Sequence, residues 1–223
     1  MSYVSSSEGS MSYLPSTEDV VSAYVELRDR MISFLRSLPE DVASMAVPHC
    51  PDWTVQETVS HMVGVPEAIL SGDLDGIASD AWTQRQVERH RGDSLKDLAD
   101  AWEKDSEQFL TVLPIIPIAA MTQLVFDVAS HEHDVRNAVG QPGARDSLSV
   151  SVGVRFMKHA ADSRGDIDVS QMDQWNASTF DVFRSVGGRR SKEQMAADGI
   201  DTALIEKLLR PMPISIPAVS IPE

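Results

Sequence analysis

Between Val20 and Leu38 the apolar residues Val20, Tyr24, Leu27, Met31, Phe34 and Leu38 recur at alternating steps of four and three. That rhythm is one buried stripe on a helix of about five turns, and Pro39 marks its exit. A helix this long with a single apolar face has to bury that face against other helices. The same pattern returns in three further places. Thr54 and Glu57 have the spacing of a capping box and open a helix with Val55, Val59, Met62, Pro66 and Ile69 behind them. Ser94 opens another, with Leu95, Leu98, Trp102, Phe109 and Leu113 on one side and Pro114 and Pro117 closing it. A fourth runs from about Ile118 to Val139 and stops at Gly140, with Pro142 beyond. Four helices of one length class predict a mainly α fold built on a four-helix bundle.

The rest of the chain is placed around that bundle. Residues 1–15 are rich in Ser and Gly and are expected to form a disordered tail. Residues 16–163 are expected to hold the bundle, including a fifth amphipathic stretch over about 147–161. The segment between Gly72 and Gly92 reads as a polar connection. Residues 164–223 have a different texture, with short helices near 178–186, from 191 and over 202–209, and the Pro-rich stretch PMPISIPAVSIPE. They are expected to form a small C-terminal lobe whose end is an extended arm.

Charge narrows the function classes. The chain carries 34 Asp and Glu against 19 Lys and Arg, a formal net charge of −15. Nucleic acid and anionic membrane surfaces are disfavoured as partners, because both need a basic surface. No apolar run approaches the roughly 20 residues that span a bilayer, and no signal segment opens the chain. A cytoplasmic protein that is a monomer or homodimer is expected. An anionic small molecule can still bind, provided that a local cation overrides the field of the whole chain.

The chemistry concentrates in FDVASHEHDVRNAVG, residues 126–140. At 100° per residue, Asp127 and His131 fall on the same face as Met121, Leu124, Val128, Val135 and Ala138, whereas His133 projects to the other side. Burying a carboxylate among apolar residues requires a partner. One reading is a satisfied core pair. The other is two ligands to a metal, one turn apart, with His61 on the second helix as the best third ligand. His49, His90 and His159 read as solvated. Cys50, the single cysteine, reads as a buried structural residue, and Trp53 as an apolar contact beneath the second helix. Arg189 and Arg190, after Gly187-Gly188 and before a helix start at Ser191, can clamp an anion or pair with neighbouring carboxylates.

HCPDWTVQETVSHMVG, FDVASHEHDVRNAVG and the later GGRRSKEQ, in this order and at these separations, resemble the mycothiol-dependent maleylpyruvate isomerase-like family, over about residues 17–207. The resemblance implies a DinB-like four-helix bundle in which His61, Asp127 and His131 hold a divalent metal, zinc ahead of nickel, iron or manganese. It also implies a low-molecular-weight thiol such as mycothiol as cosubstrate, and a small electrophile such as maleylpyruvate. The expected activity is thiol S-transfer or cis-trans isomerisation, and the alternative is a non-catalytic metal- or ligand-binding module of the same fold. Two features depart from the family. Its acidic ligand is usually Glu where this chain has Asp127, and the C-terminal lobe is abbreviated.

Overall fold

The computed structural model describes residues 13–223, so the expected tail over residues 1–15 lies outside the described residues up to residue 12. The architecture is mainly helical. Nine α-helices are assigned among the described residues: α1 Thr17–Ser37, α2 Val55–Ser71, α3 Asp80–Arg89, α4 Leu95–Val112, α5 Ile118–Ala138, α6 Leu148–Asp162, α7 Thr179–Val186, α8 Lys192–Ala197 and α9 Thr202–Leu209. Strands β1, Ala46–Val47, and β2, Cys50–Thr54, pair antiparallel as a hairpin. No helix among these residues is long and apolar enough to cross a membrane.

The chain groups into two compact units. One comprises residues 24–117 and 128–143. Here the Tyr24 hydroxyl accepts from Trp102 Nε1 at 3.1 Å and its ring lies 5.1 Å from Phe109, which joins α1 to α4 through their apolar faces. Between α1 and α5 the link is ionic. Glu132 is fully buried and accepts from Nη2 and Nε of Arg30, at 2.6 and 2.8 Å, as well as from Nε of Arg136 at 2.9 Å. Arg136 in turn lies 4.2 Å from the centroid of the Phe34 ring. The start of α2 is fixed by the capping box foreseen from Thr54 and Glu57.

Two elements of this unit differ from the sequence expectation. The polar connection over residues 72–92 contains α3, N-capped by Ser79, with Trp82, Gln86 and Val87 buried. Its buried face includes a glutamine, so apolar periodicity understates it. Ahead of α2 lies the hairpin β1–β2, for which no strand was expected, and it carries both Cys50 and Trp53.

The other unit comprises, among the described residues, 13–23, 118–127 and 144–223. Phe126 anchors it, with its ring 5.5 Å from Phe156 and 5.6 Å from Phe183. The Tyr13 and Leu14 carbonyls accept from Arg155 at 2.9 and 2.7 Å. The C-terminal arm is held in place: Ser220 Oγ lies 2.8 Å from Ser191 Oγ, Gln194 Nε2 donates to the Ile221 carbonyl at 2.9 Å, and Glu223 pairs with the buried Arg184.

Candidate metal centre

His61 sits in the second turn of α2 and is 5% exposed, so the flank position read from periodicity turns inward. The reason is α3. Gly64, one turn after His61, lets α3 approach so closely that a Cβ at Gly64 would stand 2.5 Å from Cβ of Gln86. At that separation Gln86 Oε1 reaches His61 Nδ1 at 2.7 Å. A carbonyl oxygen only accepts, so Nδ1 carries the proton and Nε2 is the ring atom suited to a cation.

His131, on α5, has a matching arrangement. Its Nδ1 lies 3.3 Å from Asp134 Oδ2, and Asp134, one turn further along the helix, is fully buried. The two imidazoles meet edge to face, centroids 5.2 Å apart. Trp53 of β2 completes a cluster of three rings, 5.4 Å from His61 and 5.7 Å from His131. It therefore lines the site as well as packing at the start of α2. Asp127 precedes His131 by one turn on the same unbroken helix and is half-buried. One donor atom from each of His61, Asp127 and His131 can be chosen so that all lie within 4.8 Å of one another.

This donor set suits a divalent cation. Two neutral imidazoles and one carboxylate are ligands for Zn²⁺ and its neighbours, and three protein ligands leave positions open. An oxygen near Nδ1 of each ring is the outer support that metal-bound histidines ordinarily have. Neither Gln86 nor Asp134 was singled out from the sequence. Asp134 had a signal, being three residues after His131 in the string HEHD. Gln86 had none, because its helix was read as a connection.

A second donor group overlaps the first. Cys50 Sγ lies 3.9 Å from His131 Nδ1 and 3.6 Å from Asp134 Oδ2. Cys50, read as a buried structural residue, is half-buried and borders the histidine cluster. Two of the histidines read as solvated, His49 and His90, also differ from expectation. The His49 side chain is fully buried, with Nδ1 3.8 Å from Asp134 Oδ1. His90 is 6% exposed and bonds Glu67 and Asp93, each at 2.9 Å. Burial acts to lower the His90 pKa, but those two carboxylates outweigh it and the net direction is up. Burial likewise acts to raise Glu67, and its bonds to His90 and Arg89 bring it below the usual value.

Arg190 is engaged by carboxylates. It pairs with Asp181 at 2.7 Å, with Asp198, and with Glu223 at 3.3 Å. Arg189 donates to the Gly187 carbonyl at 2.8 Å. A separate cleft of about 300 Å³, lined by residues that include Ser44, Thr54, Glu57 and Arg91, has none of the metal-ligating donors in its walls.

No curated protein and no solved structure matches the chain. Residues 24–116 match the family model of the mycothiol maleylpyruvate isomerase N-terminal domain, a span that contains Cys50, Trp53, His61 and Gln86 and ends just before α5. Over those residues the chain is similar to the mycothiol maleylpyruvate isomerase N-terminal domain, in keeping with the resemblance read from its motifs.

Proposed function

We propose that this chain is a divalent-metal-dependent enzyme that brings a low-molecular-weight thiol of the mycothiol type to a small electrophile, for S-transfer or cis-trans isomerisation. The observation that carries the reading is the pair of imidazoles His61 and His131, each with an oxygen at Nδ1, grouped with the Asp127 carboxylate. His61, Asp127 and His131 would hold the cation, zinc ahead of nickel, iron or manganese. When bound, it supplies positive charge that favours the thiolate over the thiol of a cosubstrate.

The chain's own residues shape the surroundings. Gln86 fixes which nitrogen His61 presents, and Asp134 does the same for His131. Trp53 sets an aromatic face against both rings, so part of the wall beside the ligands is apolar. Apolar walls exclude water and strengthen any charge interaction formed beside them. Asp127 brings one negative charge to a divalent ion, which leaves net positive charge for an anionic partner. This meets the requirement set by a chain of net charge −15.

The three carboxylates around Arg190 favour a second reading, in which Arg190 is structural and the chain binds a metal or small ligand without catalysis. The test uses the full chain, stripped with chelator, reloaded with Zn²⁺ and supplied with mycothiol and maleylpyruvate. Loss of the cis isomer that needs both thiol and metal, and is abolished in His131→Ala, supports the enzyme. Stoichiometric metal without turnover supports the binding module. Absence of bound metal after reloading overturns both.

A further inference from the structure

We propose that Cys50, His131 and Asp134 form a second cation site, which takes a borderline-soft divalent ion such as Zn²⁺ on a thiolate, an imidazole Nδ1 and a carboxylate. The three donors come from two elements. Cys50 opens β2, and His131 and Asp134 stand one turn apart on α5. Their donor atoms form a triangle with edges of 3.9 Å from Sγ to Nδ1, 3.6 Å from Sγ to Oδ2 and 3.3 Å from Nδ1 to Oδ2. A tetrahedral zinc with Zn–S of about 2.3 Å and Zn–N and Zn–O of about 2.0–2.1 Å requires edges of about 3.6 Å to sulfur and about 3.4 Å between nitrogen and oxygen. The observed triangle departs from that by at most about 0.3 Å. A relaxed N–H···O pair would instead close to about 2.9 Å, appreciably shorter than the 3.3 Å seen here.

Charge and burial point the same way. Thiolate and carboxylate together carry the two negative charges that neutralise a divalent ion, and binding releases the Cys50 thiol proton to solvent. The Asp134 side chain is fully buried and that of His131 is 9% exposed, whereas Cys50 is half-buried. Three protein donors leave one tetrahedral position on the more open side. On its other oxygen Asp134 faces His49 Nδ1 at 3.8 Å, an outer partner of the kind that orients a ligating carboxylate. His131 belongs to both donor sets. The second site uses Nδ1, and the set with His61 and Asp127 uses the opposite nitrogen, so filling both sites also releases the ring N–H proton to solvent and leaves an imidazolate between the two ions.

The inference stands independently of the enzymatic reading, and its test separates the two. Metal-stripped full-length protein is titrated with Co²⁺ while thiolate-to-cobalt charge-transfer absorption is followed in the ultraviolet. The band is expected in the wild type and in His61→Ala, which removes a ligand of the first set only, and it is expected to vanish in Cys50→Ser. A second measurement needs no variant: saturating Zn²⁺ should slow the reaction of Cys50 with Ellman's reagent at least about tenfold, since the coordinated sulfur is no longer the attacking group. Cobalt uptake without a charge-transfer band, or a thiol whose reactivity ignores Zn²⁺, overturns the second site and leaves the first intact. A wild type that takes up a single equivalent of cobalt, with a band of the same intensity in His61→Ala, sustains the second site and overturns the first.

Discussion

Replacing Gln86 with leucine separates metal affinity from stability, because the residue does two opposite things. It is 1% exposed, its Oε1 accepts from His61 Nδ1 at 2.7 Å, and its own Nε2 is buried without a hydrogen-bond partner among the described residues. Leucine removes the acceptor, which costs about 1–3 kcal/mol, and it also removes the unsatisfied Nε2, which returns a similar amount. Global stability should therefore change by no more than about 1 kcal/mol. Affinity has no such compensation. Losing the outer partner of a ligating histidine weakens metal binding about 10–100-fold, equivalent to about 1.4–2.7 kcal/mol. The assay is competition for Zn²⁺ against a chromophoric chelator, with urea unfolding of the metal-free protein alongside. Nitrogen-15 NMR of the His61 ring should show mixed tautomers in the variant and one in the wild type. Affinity within twofold of wild type, or an affinity loss matched by an equal loss of stability, would refute the role given to Gln86.

Other consequences are open to direct measurement. The raised pKa of His90 stabilises the fold fully below its ordinary 6.5 and loses that contribution as pH rises through the folded value. The lowered pKa of Glu67 contributes above its ordinary 4.5 and is lost as pH falls through the folded value. Unfolding free energy measured against pH should thus have a shoulder between those values that disappears in His90→Gln; an unchanged profile would contradict the assignment. Glu132→Leu strands Arg30 and Arg136 and should cost about 3–5 kcal/mol in urea unfolding at constant slope, with a loss below about 1 kcal/mol counting against a buried ionic link. Gly153→Ala would put a Cβ 2.4 Å from Phe183 Cε2. Overpacking of about 1–3 kcal/mol outweighs the roughly 1 kcal/mol that alanine contributes to helix propensity, so a lower Tm is expected and an equal or higher one would oppose the packing described.

The sequence makes legible what an apolar stripe can signal. The starts and stops of α1, α2, α4 and α5 follow from Val20 to Leu38, from the Thr54 and Ser94 caps, and from Gly140. Helix α3 escapes because its buried face is Trp82, Gln86 and Val87, too short and too polar to register as a stripe. The hairpin escapes because a two-residue strand beside Pro48 and Pro51 has no alternation to read. The same two omissions hide half of the candidate site. His61, Asp127 and His131 are visible as donors at suitable intervals, but Gln86 and Cys50 come from elements without a sequence signature. The environments of His49 and His90 were hidden for a related reason. Their partners Asp134 and Glu67 are 85 and 23 residues away, and pairing at such separations is a property of the fold alone.

The close approach at Gly64 has a further implication for how such a site can vary. The atom that decides which face His61 presents belongs to a neighbouring helix, and the distance to that helix is set by a residue with no side chain. A single methyl group there would press on Cβ and Cγ of Gln86, 2.5 and 2.9 Å away, and act as a spacer. Bulk alone, placed one turn from the ligand and carrying no charge or donor, would then regulate the strength of the metal site. Relatives that keep all three ligands yet differ at this spacer position should differ in how tightly they retain metal.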